Sequence, residues 1–333
     1  MSDLPAGLRP PEVALARLAD TIPGPGALPG GSLYEPKWDG FRLVIVRAAD
    51  VTLWSRQGKD LTRHFPDLAA AAEEQLPHGY VVDGEAVVWS EDRLDFDALQ
   101  KRLTTSPAAV QRLAHQRPAS YAAFDLLAVD DHDARSLPLR DRRALLEQLA
   151  QDWAPPLNLS PATTDYGEAV AWFEQLHTAG IEGLVIKGAG DRYSGGVRQW
   201  VKVKHRDTLD VICAAVIGTL RQPQELVVGL PVDGELRIVG RSTPLRAAPA
   251  RGLGRLLRPA VGEGHPWPAQ IKPGALDRFG NSGRELVDLT LVEPIVVEIS
   301  ADVAWSGRSF RHAVRYLRAR PELDLADVPE RER

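Results

Sequence analysis

Lysine is scarce in this chain. Only Lys37, Lys59, Lys101, Lys187, Lys202, Lys204 and Lys272 stand among 40 cationic residues, and the rest are arginine. A guanidinium keeps its proton in a protein, whereas an amine can shed it and become a nucleophile. A lysine kept where arginine is the rule therefore marks candidate covalent chemistry, although Lys59, Lys101 and Lys272 read equally well as surface residues. The strongest setting is Glu35-Pro36-Lys37-Trp38-Asp39-Gly40-Phe41-Arg42, a lysine at a strand end followed by a turn, with Asp39 and Arg42 directed to the same pocket. Such an amine can attack phosphorus once deprotonated, and nearby cations and desolvation are expected to assist by lowering its pKa. The bare string also suits an ordinary hairpin turn.

Further residues of chemical interest follow along the chain. Glu85 lies in Val-Val-Asp-Gly-Glu-Ala-Val-Val, a carboxylate inside an apolar strand, which costs free energy unless it is paired or functional. Glu182 precedes another apolar strand. Lys202 and Lys204 alternate within Trp200–Lys204, so both face one side of a strand and can neutralise a phosphate, or can simply be solvated there. Lys187 suits either a phosphate contact or the surface.

The elements that must position these residues alternate irregularly. Residues Glu12–Asp20 read as a short amphipathic helix, and the Pro/Gly-rich Thr21–Gly31 ends it. Strands are expected over Phe41–Val46, Val51–Trp54, Tyr80–Trp89, Tyr121–Ala128, Leu184–Lys187 and Trp200–Lys204. Helices are expected over Phe65–Gln75, Asp97–His115 with a break at Pro107, Arg140–Ala150 and Tyr166–Ala179. That order suits an α+β fold with antiparallel sheets better than regular βαβ winding. Beyond Asp207 the strands Asp210–Leu220, Glu225–Leu230, Glu235–Arg241 and Leu291–Ile299 surround one helix, Pro249–Leu257, which is a small-barrel pattern.

Composition bounds the function classes. With 333 residues and 44% hydrophobic content the chain can bury two cores, and the domain boundary is expected near residues 205–210. No apolar run approaches a membrane span, and Met1–Pro11 lacks the pattern of a secretion signal, so a soluble cytoplasmic protein with no membrane partner is expected. A single cysteine, Cys213, excludes disulfides within the chain and cysteine-rich zinc sites, leaving oxygen ligands for any metal. Residues 1–200 carry 20 basic and 28 acidic side chains, and residues 201–333 carry 20 and 17, so a polyanion face is expected in the C-terminal part.

Lys37-Trp38-Asp39-Gly40-Phe41-Arg42 resembles the first motif, Lys-x-Asp-Gly-x-Arg, of the covalent nucleotidyltransferases, which comprise ATP-dependent DNA ligases, RNA ligases and capping enzymes. In the family's order, Ser55-Arg56-Gln57-Gly58, Asp83-Gly84-Glu85, Tyr121-Ala122-Ala123-Phe124-Asp125, Glu182-Gly183-Leu184-Val185-Ile186-Lys187 and Trp200-Val201-Lys202-Val203-Lys204 resemble the later motifs. They span residues 33–205, and the remainder resembles the family's OB domain, as in the small bacterial repair ligases of the ligase C type. The resemblance implies a nucleotidyltransferase domain over residues 1–207, with antiparallel β-sheets and flanking helices, followed by a C-terminal OB-fold β-barrel over residues 208–333. It implies ATP as the nucleotide, Mg²⁺ or Mn²⁺ as the metal, nicked double-stranded DNA as the partner, a monomer, and separate repair proteins. An RNA ligase or capping-type enzyme, and a non-catalytic DNA-binding module, are the alternatives.

By resemblance Lys37 is the nucleophile that becomes lysyl-AMP. Glu35 accepts from the adenine amino group, Arg42 and Arg56 hold ribose and phosphate oxygens, Glu85 meets the ribose hydroxyls, and Phe124 stacks on adenine. Glu182 serves the divalent cation, Lys202 and Lys204 neutralise the α-phosphate, and Arg198 reaches the nucleotide. Residues Arg308–Arg320 hold five arginines, of which Arg311, Arg315 and Arg318 have helix-like spacing. Their position resembles the sixth ligase motif, implying pyrophosphate or DNA contacts for Arg318 and Arg320. The usual Arg-x-Asp-Lys ending is here Arg320-Pro321-Glu322.

Overall fold

The computed structural model describes residues 8, 10–261, 264–276, 285–302, 305–306 and 309–330, with backbone alone at 206, 207, 302, 305 and 306. Arg308 and most of the Met1–Pro11 segment lie outside the described residues. The chain divides into two compact units, Met1–His205 and Arg206–Arg333.

The first unit is built on two sheets. One has four strands in the order β1 (Ala16–Leu18), β11 (Trp200–Lys204), β10 (Gly183–Gly188), β2 (Ser32–Pro36). The other runs β4 (Val51–Ser55), β3 (Phe41–Arg47), β5 (Tyr80–Ser90), β7 (Ala119–Val129), β8 (His132–Asp133), with β6 (Arg93–Leu94) and β9 (Leu157–Leu159) at its margins. Strand alternation gives the larger sheet two different faces. Leu43, Ile45 and Val82 enter a core with α1 (Pro66–Gln75) and α2 (Phe96–Thr104), next to which lies α3 (Pro107–Gln116). Val44, Val46 and Phe124 instead meet Tyr193 and Trp200. The helices begin where capping chemistry allows: Pro66 and Pro107 occupy first-turn positions, Asp95 accepts from the Ala98 N–H, and Asp165 accepts from the Glu168 N–H. The last of these caps starts α5 (Tyr166–Gln175), which follows α4 (Leu139–Leu149).

The segment expected as a helix over Glu12–Asp20 is extended. Ala16–Leu18 pair in parallel with Trp200–Lys202. Nine residues bounded by prolines are too few to hold a helix alone, and pairing with β11 wins.

The second unit is an antiparallel sheet ordered β14 (Glu235–Arg241), β13 (Pro223–Val232), β12 (Arg206–Gly218), β17 (Thr290–Asp302), β20 (Arg315–Ala319). Its margins approach each other, because the Thr243 N–H donates to the Val314 carbonyl and the Val314 N–H to that of Arg241. Helix α6 (Ala247–Leu256) seats Leu253 in its core, while α7 (Pro273–Leu276) and the short pairs β15 (Gln270–Ile271) with β16 (Val287–Asp288), and β18 (Trp305–Ser306) with β19 (Ser309–Phe310), complete it. Arg315 and Arg318 lie on a strand, not the helix that their spacing predicts, since pairing with β17 overrides local periodicity.

Candidate active site

A cavity of about 760 Å³ lies within the first unit, lined by residues of both sheets. Glu35, Lys37, Arg42, Arg56, Glu85, Phe124, Lys187, Arg198 and Lys202 all reach it. Chain order alone scatters these residues over more than 160 positions, and the antiparallel ladders bring them together.

Lys37 sits immediately beyond β2. Its N–H donates to the Gly183 carbonyl at 2.8 Å, and the Glu182 N–H donates to the Lys37 carbonyl at 2.9 Å. This reciprocal pair sets the two side chains opposite each other, where Lys37 Nζ and a Glu182 oxygen form an ion pair. Lys204 Nζ approaches that same oxygen at 3.4 Å. Gly40 makes the turn after Lys37 possible: a Cβ there would collide with the Ala86 carbonyl and the Glu85 side chain.

The expectation of a lowered Lys37 pKa is corrected here. Burial is the largest influence and does pull the amine down, but Glu182, Glu85 and Asp39 outweigh it and hold Lys37 above the ordinary lysine value. The depressed amine is Lys202, lowered first by burial and then by the positive charges of Lys37 and Lys204.

Glu85 is pushed up to about 8, first by burial, with Lys37 and Arg42 opposing and Asp39 and Asp83 adding to the rise. Alternation from Asp83 along β5 brings both carboxylates to the face of Arg42, and Arg42 takes only Asp83. Its Nε and Nη2 donate to the two Asp83 oxygens at 2.9 and 2.5 Å, its Nη1 donates to the Ala14 carbonyl, and Nη2 also reaches the Tyr193 hydroxyl at 3.1 Å. Burial works against the Arg42 charge, but Asp83, Tyr193 and Glu85 outweigh it and raise its pKa. The Tyr193 hydroxyl donates to Asp83 at 2.6 Å and accepts from the Ala14 N–H. The Arg42 fork, expected on ribose or phosphate, thus ties β3 to β5 and to the segment before β1 while still lining the cavity.

A testable consequence concerns Glu85. Its carboxyl binds a proton in the folded protein between the unfolded value near 4.5 and about 8, so over that window folding takes up a proton and stability falls as pH rises. Glu85→Gln removes this dependence. Its melting temperature is therefore expected to exceed the parent's by a margin that widens from pH 5 to pH 8, while affinity for ATP declines; calorimetry across that range is the check. A constant margin would show that Glu85 does not titrate there.

Glu35 and Lys187 form a buried ion pair of 2.7 Å, with both side chains almost fully enclosed. Lys187 also donates to the Phe124 carbonyl at 3.2 Å, and its amine lies 4.4 and 4.3 Å from the ring centroids of Phe124 and Trp200. It is neither a surface lysine nor a free phosphate contact. Burial raises the Glu35 pKa against the pull of Lys187, and Glu35 Oε1 is buried with no hydrogen-bond partner among the described residues. Phe124 and Trp200 meet edge to face at 5.9 Å, with Arg42 and Lys187 as cations beside them. Tyr193 and Trp200 are further parts of this site. Sequence reasoning included Trp200 only as the first residue of a motif strand and Tyr193 not at all, because a tyrosine in a Gly-rich loop carries no periodic signal.

Arg56 is exposed in the turn after β4, and Arg198 is exposed with one nitrogen 3.4 Å from the Ala16 carbonyl. Arg318 and Arg320 belong to the second unit and are engaged there. Arg318 pairs with Glu298, its neighbour across β17, and Arg320 bonds Asp210 at 3.0 Å and Glu322 at 2.6 Å. The altered sixth-motif ending thus supplies Arg320 with a local partner.

No His, Cys, Asp or Glu cluster of three or more among the described residues can cage a metal, and no helix among them is long and apolar enough to cross a membrane.

Comparison with known proteins bears on this arrangement. Residues 19–204 match the family model described as the ATP dependent DNA ligase domain. The chain is 38% identical over 319 residues to DNA ligase C2 of Mycolicibacterium smegmatis, covering 89% of this chain and 88% of the relative. It is 36% identical over 322 residues to DNA ligase C of Mycobacterium tuberculosis, covering 90% and 88%. A solved structure titled as a structure-function analysis of Lig E DNA ligases shares the fold at a TM-score of 0.55, with 16% identity over 93% of this chain and 99% of that one. A match over most of the first unit, and relatives aligned along nearly nine-tenths of their own length, establish that this chain belongs to the ATP-dependent DNA ligase family.

Proposed function

We propose that the chain seals nicks in duplex DNA in repair, through lysyl-AMP at Lys37. The observation that supports this most directly is a lysine amine opening onto a cavity that also holds an unengaged carboxylate, an aromatic platform and several cations. In the first step Lys37 Nζ gives up its proton and bonds to the α-phosphorus of ATP, while the bond from that phosphorus to the pyrophosphate oxygen breaks. An oxygen of the 5′-phosphate at the nick then takes the adenylate and the lysine nitrogen recovers a proton. Finally the 3′-hydroxyl attacks the adenylated 5′-phosphorus, losing its proton as AMP leaves.

Within this reading Lys202 and Lys204 neutralise charge at the α-phosphate, Glu85 meets the ribose, and Phe124 with Trp200 bounds the adenine. The free Oε1 of Glu35 suits an adenine amino donor. Arg56 and Arg198, exposed at the cavity, are taken as nucleotide contacts, and positioning with charge neutralisation supplies most of the rate. The donor set suits a hard cation of the Mg²⁺ or Mn²⁺ kind, which takes one or two protein carboxylates and completes its shell with phosphates and water. Glu182 is the carboxylate that would hold it, and when bound it would offset the negative field that keeps Lys37 protonated.

Residues 1–207 are read as the nucleotidyltransferase domain and 208–333 as an OB domain, the latter supported by the approach of the sheet margins at Ser242 and Val314. The protein is read as a monomer that can act beside other repair proteins. A sealing assay on matched nicked duplexes, with DNA or RNA on either side of the break and ATP or GTP supplied, tests the proposal. Sealing of the DNA nick with ATP is expected; labelling by GTP alone would overturn it.

A further inference from the structure

The second unit carries a basic face that no motif described above includes. From residue 242 to residue 262 the chain contains Arg246, Arg251, Arg255 and Arg258 and no aspartate or glutamate. These residues build α6 and its flanks. Leu253 and Leu257 are buried in the core of the unit. At 100° per residue Arg251 and Arg255 straddle the opposite side of the helix, one turn and roughly 6 Å apart along its axis.

Gly254 brings the backbone of a fifth arginine, Arg221, against the helix. A Cβ at that position would come within 2.7 Å of the Arg221 carbonyl and 2.9 Å of that of Leu220, so α6 rests directly on the turn between β12 and β13. That turn, Thr219–Gln224, also has no acidic residue, and Glu225 just beyond it, which lines a groove with Arg251, is held by Arg241.

The arginines of this unit fall into two groups. Arg237, Arg241, Arg318 and Arg320 each pair with a carboxylate. Arg221, Arg246, Arg251 and Arg255 are exposed, and their side chains make no hydrogen bond or ion pair with any described residue. Arg258 turns back to the carbonyls of Arg255 and Leu257, where a cation suits a helix C-terminus. Exposed guanidiniums without carboxylate partners on a helix and on the turn it rests against, with no acid inside either segment, have the charge pattern of a polyphosphate contact.

We propose that α6 and the β12–β13 turn form a face that grips the phosphate backbone of duplex DNA, with Arg251 and Arg255 at its centre and Arg221 on the adjoining turn. This rests on the nick-sealing reading and specifies a surface for it. Contacts of this kind read charge and not sequence, as a ligase acting at any break requires.

The test measures binding of the full chain to a nicked duplex as salt is varied. If Arg251 and Arg255 each meet one phosphate, Arg251→Gln/Arg255→Gln lowers the slope of log affinity against log salt by about 1.8 and, for proteins equal at 1 M, weakens binding about 60-fold at 0.1 M. Arg237→Gln removes a charge already paired with Asp233 and is expected to leave the slope unchanged. Arg251→Lys/Arg255→Lys keeps both charges, so restored binding separates lost contacts from a damaged fold. A double glutamine variant that melts like the parent and keeps the full slope would show a merely solvated face and overturn the proposal. Absence of salt-dependent nick binding in the unaltered protein would instead defeat the ligase reading beneath it.

Discussion

Replacing Lys37 by alanine is expected to eliminate covalent adenylate and to reduce sealing from ATP by at least about 10⁴-fold, the scale on which removal of a nucleophile acts. Mass spectrometry of the protein treated with ATP and a divalent cation provides the check. The parent carries one adenylate on the peptide containing position 37, and the variant carries none. Lys202 is the informative competitor, because its amine is the one held below the ordinary lysine value and it lines the same cavity. Adenylate on Lys202 in the parent would reverse the assignment of nucleophile and phosphate ligand. The last step uses the 3′-hydroxyl as its nucleophile, so Lys37→Ala is still expected to seal a nick that already bears 5′-adenylate. Loss of that reaction together with the first would mean that the substitution damages the whole cavity.

The pH profile of adenylylation follows from the same surroundings. The amine must be free to attack, and Lys37 lies above the usual lysine range in the nucleotide-free protein. The rate at subsaturating ATP is therefore expected to climb by about tenfold per pH unit from 7 to 9. A flat profile would indicate that another step limits the rate.

The residues that touch the cavity were more legible in the sequence than those that hold them in place. Lys37, Glu85 and Lys202, and Glu182 paired with Lys37 behind them, announce themselves because charged groups beside apolar strand residues are costly without a purpose. The strands over Phe41–Arg47 and Trp200–Lys204 were readable from β-branched and aromatic content. What escaped was pairing between distant segments. Nothing local distinguishes Arg42 as a ligand of Asp83 from Arg42 as a ligand of phosphate, and the choice is made by the register that sets Arg42 opposite Glu85 with Asp83 two residues away. The extended form of Ala16–Leu18 and the strand at Arg315–Ala319 were hidden similarly, each owing its conformation to a neighbour far away in sequence. Lys187 escaped because its counterion, Glu35, lies on a strand more than 150 positions earlier.

The largest loss of stability is expected from Asp125→Ala. Asp125 and Arg142 are fully buried and joined by two hydrogen bonds, of 2.7 and 3.0 Å. Removing the carboxylate leaves a guanidinium enclosed without its counterion, which costs about 3–5 kcal/mol. For a unit of roughly 200 residues that corresponds to a fall of roughly 6–20 °C in melting temperature. Arg142 also donates to the carbonyls of Leu137 and Asp191, and its guanidinium lies 5.6 Å from the ring centroid of Tyr193. Strain at Arg142 therefore reaches the loop that carries Tyr193, and through Tyr193 the Asp83–Arg42 pair at the cavity. Asp125→Leu combined with Arg142→Met is expected to recover most of the lost stability, because the penalty comes from the unpaired charge more than from the missing bond. Should the double variant melt as low as Asp125→Ala, the Arg142 bonds to Leu137 and Asp191 would be the essential ones, and the pair itself incidental.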